Sequence, residues 1–306
     1  MKITPINQWL PFKDYLVIAG PCSAETESQV LSTAHSVKKI DRVKIFRAGV
    51  WKPRTRPNTF EGIGLKGLKW LQKVKKETGL LTCTEVANPE HIKACIDHDI
   101  DILWVGARTT VNPFLIQNIA DTLEGKDIPV MIKNPINADI SLWVGAIERF
   151  LNKGITKLVG IHRGFSTARP SPYRNEPFWK IPIEIRQKVP GLPLICDPSH
   201  IAGSREKIFE VSQKAFDIAM EGLMIETHPD PDKALSDRKQ QVTPNQLEEI
   251  LKSLQHRKEF CSDELFDDKL SSLRSKIDAL DKELLDILKV RMNIVHDIGQ
   301  EKIKKN

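Results

Sequence analysis

The chain has 306 residues, of which 40% are hydrophobic and 28% are charged, and its formal net charge is +6 at pH 7. This length allows one large α/β domain or two smaller ones and excludes a peptide scaffold. No apolar run approaches the roughly 20 residues that a membrane-spanning helix needs, so the composition excludes an integral membrane protein. The aromatic residues are too few for a nucleic-acid-binding surface, and small anionic ligands suit the basic balance better.

The N-terminus and the cysteines indicate the compartment. Residues 1–13 lack the continuous apolar stretch of a secretory signal. The five cysteines are scattered and form no C-x-x-C pair, so we predict neither a disulfide framework nor a zinc knuckle. We expect a cytoplasmic protein with reduced thiols.

Eight short apolar runs alternate with longer segments of helical periodicity along the first 250 residues or so. The runs are nearly continuous, as is typical of parallel strands covered on both faces. The predicted strands are residues 15–20, 43–49, 80–86, 102–107, 129–134, 157–163, 192–198 and 222–229. The predicted helices include residues 26–40, 66–78, 88–99, 141–153, 204–220 and 244–256. Eight such units predict an α/β protein with a closed TIM (β/α)8 barrel, and a doubly wound open sheet is the structural alternative.

A polar residue follows nearly every predicted strand, where the active sites of TIM barrels lie. One group is cationic and consists of Arg47, Lys52, Arg54, Arg108, Lys133 and Arg163. Their mutual repulsion would be costly without bound anions, although any one of them alone could form a rim salt bridge. Phosphate and carboxylate groups match the fork of arginine and the point charge of lysine.

A second group at the same rim consists of Cys22, His200, Glu226 and Asp237. A thiolate, an imidazole and two carboxylates form a mixed S/N/O site that suits a divalent transition ion better than Mg²⁺ or Ca²⁺. The alternative for Cys22 alone is a buried inert thiol. We expect Cys83, Cys95 and Cys196 to be core residues.

Eight ordered motifs carry a resemblance to a known family. They are A-G-P-C-S at 19–23, F-R-A-G-V-W-K-P-R-T at 46–55, V-G-A-R at 105–108, I-K at 132–133, H-R-G at 162–164, D-P-S-H at 197–200, I-E-T-H-P at 225–229 and L-S-D at 235–237. Over roughly residues 10–250 the chain resembles the 3-deoxy-D-arabino-heptulosonate 7-phosphate (DAHP) synthases. The resemblance implies condensation of phosphoenolpyruvate with erythrose 4-phosphate, the first step of the shikimate pathway toward aromatic amino acids.

The resemblance also assigns residues. It implies that the metal ligands are Cys22, His200, Glu226 and Asp237. It implies a phosphoenolpyruvate site formed by Arg47, Lys52, Ala107, Arg108, Lys133 and Arg163. It implies erythrose 4-phosphate contacts from Pro53, Arg54 and Thr55. The expected cofactor is a divalent transition metal, with Mn²⁺ first and Fe²⁺, Co²⁺, Zn²⁺ or Cd²⁺ as alternatives.

The implied chemistry needs a Lewis acid and a proton donor. A metal ion would polarise the aldehyde so that C3 of phosphoenolpyruvate attacks it, water would add at C2, and phosphate would leave by C–O cleavage. Lys133 or Lys52 is the candidate proton donor, and Cys22 is a ligand rather than a nucleophile. The long segment 164–180 is predicted to be a lid over the sugar phosphate, or else a plain surface loop.

Two alternatives stay open for the barrel. The first is 3-deoxy-D-manno-octulosonate 8-phosphate synthase, which uses arabinose 5-phosphate. Its relatives typically carry an Ala-Asn-Arg-Ser pattern where this chain has Pro53, Arg54 and Thr55, and this difference favours erythrose 4-phosphate. The second is a catalytically dead barrel kept as a scaffold, against which the complete metal and phosphate sets argue.

The pattern changes near residue 262, so we predict a barrel domain at 1–261 and a separate segment at 262–306. Apolar residues recur at spacings of three and four from Leu270 to Ile298, which predicts one long amphipathic helix. It resembles the first helix of the all-helical chorismate mutases, with Arg274, Arg291 and Lys302 at that family's cationic positions.

The resemblance of the tail covers only part of a mutase. Because that family needs further helices, we expect little or no mutase activity and a longer natural protein that has been cut. A second hypothesis is that the tail is a regulatory or interaction segment that pairs with another copy of the chain, giving a homo-oligomer. We expect no nucleic-acid or membrane partner.

Overall fold

The computed structural model describes residues 2–10, 12–52, 59–256 and 264–304, and side chains from residue 268 onward in the last range. The chain divides into two compact units, Met1–Arg257 and Lys258–Asn306. Among the described residues, no helix is both long and apolar enough to cross a membrane.

The first unit is built around a closed parallel barrel in which the strands follow one another in chain order and β8 pairs with β1. The strands are β1 (Leu16–Gly20), β2 (Val43–Arg47), β3 (Leu81–Val86), β4 (Ile102–Val105), β5 (Val130–Lys133), β6 (Leu158–His162), β7 (Leu194–Cys196) and β8 (Gly222–Glu226). All eight fall inside the predicted runs. The predicted TIM barrel is therefore confirmed, and the open doubly wound sheet is wrong.

Helices surround the barrel, and several of them begin at residues whose side chains cap them. They are α1 (Glu27–Lys38), α2 (Leu65–Thr78), α3 (Pro89–Asp97), α4 (Ala107–Thr110), α5 (Pro113–Leu123), α6 (Ile140–Asn152), α7 (Lys180–Lys188), α8 (Pro198–Ala202), α9 (Ile208–Asp217) and α10 (Pro244–Ser253). Asn88, Asn112 and Thr243 each accept a hydrogen bond from the first turn, and each is followed by a proline at the first helical position. This combination satisfies free amides and fixes the start of the helix.

The strands are buried on both faces, which explains their continuous apolar sequences. In β1, Val17 and Ala19 pack outward against the helices, whereas Leu16 and Ile18 point into the barrel. The interior also contains Trp104 and Cys83, while Cys95 and Cys196 belong to the outer layer. These three cysteines are therefore core residues, as predicted.

The second unit contains one helix of 41 residues, α11 (Glu264–Lys304). This length corresponds to about 60 Å at 1.5 Å per residue. The predicted long C-terminal helix is confirmed. Its apolar stripe is exposed, with Leu280 63% and Ile287 69% accessible, although an amphipathic helix normally buries such a face.

Candidate active site

A cleft opens at the carboxyl ends of the strands. Its lining residues are Cys22, Arg47, Gly49, Trp51, Lys52, Glu85, Gly106, Ala107, Arg108, Lys133, Arg163, His200 and Glu226. Several of them are the last residue of a strand or follow it within two positions, so the parallel barrel itself brings them to one rim. Five of the six predicted cations line this cleft.

Arg47, the last residue of β2, is the most deeply buried of these cations, at 2% exposure. Its Nη2 lies 3.3 Å from Oε1 of Glu226, and its guanidinium stacks 4.8 Å from the ring centre of Trp104. Within the described part of the chain, Nε and Nη1 of Arg47 have no hydrogen-bond partner. Buried donors are nearly always paired, because an unmade bond costs free energy. The unpaired donors of Arg47 therefore point to a bound anion.

Lys133, at the end of β5, is held by Asp197. Nζ of Lys133 lies 2.8 Å from Oδ2 of Asp197, and Nδ1 of His200 lies 2.9 Å from the same oxygen. Burial alone would raise the pKa of Asp197, but the charges of His200 and Lys133 outweigh it and hold this pKa well below its ordinary value. Asp197 thus orients both a cation and an imidazole.

Lys52 extends between Cys22 and Asp237. Its ammonium group donates to the sulfur of Cys22 and lies 2.7 Å from Oδ2 of Asp237, and the Cys22 thiol donates to that oxygen over 3.1 Å. Burial and the nearby Glu226 carboxylate raise the pKa of Cys22 to about 12. Burial would raise the pKa of Asp237, but the charges of Lys52 and His200 lower it strongly.

Three of the four predicted metal ligands lie close together, and the fourth, His200, lies beside them. Possible ligand atoms of Cys22, Glu226 and Asp237 all lie within 4.8 Å of one another. Oε1 of Glu226 is fully buried and has no hydrogen-bond partner among the described residues, while Oε2 accepts from Gln240 over 2.7 Å. His200 stands beside this trio, with Nδ1 3.8 Å from Oε1 of Glu226 but directed to Asp197. Sulfur, carboxylate and imidazole donors, with a buried carboxylate oxygen that Arg47 pairs by charge at 3.3 Å, fit a transition ion.

The other side of the cleft holds Arg163 and Arg108. Burial lowers the pKa of Arg163 to about 10, and Nη1 donates to Oδ1 of Asn175 over 2.7 Å. Ala107 and Arg108 belong to α4, which begins directly after β4. Pro53, Arg54 and Thr55, the predicted erythrose 4-phosphate contacts, lie outside the described residues.

Comparison with known proteins identifies the family. Residues 13–262 match the model of the DAHP synthetase I family. The chain belongs to the DAHP synthetase I family. A phospho-2-dehydro-3-deoxyheptonate aldolase of Thermotoga maritima is 32% identical over 240 residues, which is 78% of this chain and 69% of that protein. The expected family is therefore confirmed.

Further relatives place this DAHP synthetase I family member in a wider group. A crystal structure of the DAHP synthase of Thermotoga maritima superimposes with a TM-score of 0.70 and 28% identity, covering 82% of this chain and 75% of that one. A 2-dehydro-3-deoxyphosphooctonate aldolase of Vesicomyosocius okutanii is 28% identical over 272 residues, covering 79% of this chain and 90% of that protein. This octulosonate enzyme is thus less similar in sequence than the 32% identical heptonate aldolase of Thermotoga maritima.

Proposed function

We propose that the barrel is a metal-dependent DAHP synthase that joins phosphoenolpyruvate and erythrose 4-phosphate and releases phosphate. Family membership supports the reaction. The observation that carries the substrate assignment is Arg47, a buried cation with two donor nitrogens that have no partner among the described residues, in a cleft lined by four more cations. A small ligand with a phosphate and a carboxylate would satisfy these donors, because both groups accept forked hydrogen bonds from arginine.

The cations bind and orient phosphoenolpyruvate in this proposal. Arg47 is held by its stacking on Trp104 and its ion pair with Glu226. Its side chain therefore loses little conformational entropy when an anion binds. Arg108, Lys133 and Arg163 would surround the remaining oxygens. Because Arg47, Lys133 and Arg163 are buried, their charges act more strongly than they would in water.

Cys22, His200, Glu226 and Asp237 would hold the divalent ion, which we propose to be Mn²⁺. When bound, such an ion supplies Lewis-acid polarisation of the aldehyde oxygen. C3 of phosphoenolpyruvate would then form the new carbon–carbon bond, water would add at C2, and the C2–O bond to phosphate would break. The ammonium groups of Lys133 and Lys52 both line the cleft and are the two candidate proton donors.

The competing aldehyde is arabinose 5-phosphate. Family membership favours erythrose 4-phosphate, and the octulosonate relatives are less similar. The test supplies each aldose phosphate with phosphoenolpyruvate and Mn²⁺ and measures phosphate release, with chelator-treated protein as a control. We expect turnover with erythrose 4-phosphate and its loss after metal removal. Turnover with arabinose 5-phosphate alone would overturn the assignment.

For the tail we propose a regulatory or interaction segment at 262–306 that pairs with another copy. Arg274, Arg291 and Lys302 are exposed on α11, whereas a mutase pocket must exclude water around its dicarboxylate substrate. We therefore expect negligible chorismate consumption by this chain. Sedimentation of the full chain and of residues 1–261 tests the pairing, and an equal oligomeric state would count against it. The cytoplasmic location also stays a prediction.

A further inference from the structure

The loop between β6 and α7 contacts residues of the proposed anion and metal sites through a short segment, Arg174–Asn175. Backbone hydrogen bonds of 2.8 Å in both directions join Phe165 to Glu176, directly after this segment. On the other side, the amide of Asn175 donates to the carbonyl of Ile201 over 3.2 Å. Backbone hydrogen bonds therefore hold the segment both to the residues that follow β6 and to α8.

Two glycines let this segment approach so closely. A Cβ on Gly203 would lie 2.4 Å from Cβ of Arg174, and one on Gly164 would lie 2.6 Å from the carbonyl oxygen of Asn175. Both glycines also have positive φ, at 69° and 74°. No side chain fits at either position without moving the segment. The two glycines therefore allow the backbone of Arg174 and Asn175 to pack closely against them in one position.

Asn175 links the proposed anion site to the proposed metal site. Its Oδ1 accepts from Nη1 of Arg163 over 2.7 Å, and its Nδ2 donates to the backbone oxygen of His200 over 2.7 Å. The side chain is buried, with the residue 7% exposed, so these hydrogen bonds are little disturbed by water. Nη1 of Arg163 also donates to the carbonyl oxygen of Gly164 over the longer distance of 3.3 Å, so Asn175 is the nearer of the two acceptors that fix this nitrogen.

Arg174 holds the outer oxygen of Asp237. Its Nη1 lies 2.9 Å from Oδ1 of Asp237 and 2.6 Å from Oε1 of Gln240. The other oxygen of Asp237, Oδ2, faces Lys52 and the Cys22 thiol. Gln240 in turn donates to Glu226. Arg174 thus contacts the predicted metal ligand Asp237 directly and the predicted ligand Glu226 through Gln240. It binds only Oδ1 of Asp237, so that Oδ2 faces Cys22.

We propose that Arg174 and Asn175 are positioning residues whose main effects fall on different sites: Arg174 orients the Asp237 carboxylate for the metal ion, and Asn175 orients Arg163 for phosphoenolpyruvate. This inference rests on the proposed function. Hydrogen-bonded partners of metal ligands typically change metal affinity 10–100-fold when removed. The loss of a hydrogen bond to a charged group has an effect of about tenfold or more on binding.

The test measures binding instead of activity. Mn²⁺ is titrated into the metal-free full-length chain by calorimetry, and phosphoenolpyruvate is titrated separately without metal. We expect Arg174→Gln to weaken Mn²⁺ about 10–100-fold and to change phosphoenolpyruvate binding by less than about threefold. Asn175→Ala should weaken phosphoenolpyruvate about tenfold, with a smaller effect on Mn²⁺. Arg169→Gln, which changes an exposed arginine of the same loop, is the matched control and should change neither.

The outcomes separate the two proposals. If the unsubstituted chain binds neither Mn²⁺ nor phosphoenolpyruvate, the proposed function is wrong. If it binds both ligands and the two variants bind them with unchanged affinity, the positioning roles are wrong and the proposed function stands. Should Asn175→Ala not fold, as judged by circular dichroism, Asn175→Ser carries the same expectation. Recovery of part of the Mn²⁺ affinity by Arg174→Lys would further support a role of the positive charge.

Discussion

Lys133 and Asp197 form an ion pair that is closed off from solvent. Their Nζ and Oδ2 atoms are 2.8 Å apart, and their side chains are 6% and 0% exposed. Lys133 ends β5 and Asp197 follows β7, so the pair spans β6 at the rim of the barrel. A buried charge is tolerated only with its partner, which makes this contact a stability determinant as well as an active-site feature.

Replacing Asp197 with Asn should therefore destabilise the fold. The change leaves Lys133 buried without a counter-ion, and breaking one side of a buried pair costs about 3–5 kcal/mol. Urea unfolding measures the loss. Asp127→Asn removes the carboxylate of an exposed pair with Lys157, where the two side chains are 83% and 27% accessible, and should cost about 1 kcal/mol or less. Equal losses for the two variants would contradict the expectation.

Arg47→Lys should weaken phosphoenolpyruvate binding about 10–100-fold, because lysine cannot present the two unpaired guanidinium donors in a fixed fork. The measurement is calorimetric titration of the metal-free protein. Arg149→Lys, on the outer helix α6, serves as the control and should bind normally. Wild-type affinity in Arg47→Lys would mean that these donors do not meet the ligand.

Cys22→Ala should abolish tight transition-metal binding, since the variant keeps the carboxylates but loses the soft sulfur donor. Competition between the protein and a chromogenic chelator for Zn²⁺ or Co²⁺ reports the affinity. Cys95→Ala removes a thiol from the outer core layer and is expected to retain the metal. If Cys22→Ala binds the metal with undiminished affinity, Cys22 is an inert core thiol and not a metal ligand.

Acid should destabilise the barrel through His162. Burial, followed by the charge of Arg163, lowers the pKa of this histidine from 6.5 to about 3. Below pH 6.5 the unfolded chain therefore binds a proton that the folded chain does not. The free energy of unfolding falls by up to about 1.4 kcal/mol for each pH unit until about pH 3.

Urea unfolding at several pH values between 6.5 and 5 tests this contribution. His162→Gln cannot titrate, so its stability should decline less steeply than that of the unsubstituted chain in this window. His296→Gln, on the exposed surface of α11, should leave the slope unchanged. Parallel pH profiles for His162→Gln and the unsubstituted chain would show that His162 is not responsible.

The barrel could be predicted because its signals are local. Most strands are nearly continuous apolar runs, and a polar residue stands at or just after the end of nearly every one, as Arg47 does in β2 and Glu226 in β8. The helices α4, α5, α7 and α8 were not among those named from the sequence, and α4 and α8, with four and five residues, are too short to show helical periodicity. The tail helix proved longer than its apolar pattern, since it also includes residues 264–269 and 299–304, before Leu270 and after Ile298.

Asp197, Arg174 and Asn175 were assigned no role from the sequence, and their contacts explain why. Asp197 had a detectable signal: an Asp before a Pro-initiated helix caps the amide of the residue three positions on, which places it beside His200. Arg174 and Asn175 had none. They reach Asp237 and Arg163 only through the path of a long loop, which no periodicity encodes.

The unequal pairing of the strands has a consequence for motion in the barrel. β7 has only three residues and shares two paired positions with β8, whereas β1 shares five with β8. The β7–β8 junction is thus where amide hydrogens should exchange most readily, and His200 and Glu226 stand on its two sides. A ligand that contacts both residues would stabilise the pairing of β7 with β8. Ligand binding should therefore slow the exchange of amide hydrogens in β7 and β8 before any product is formed.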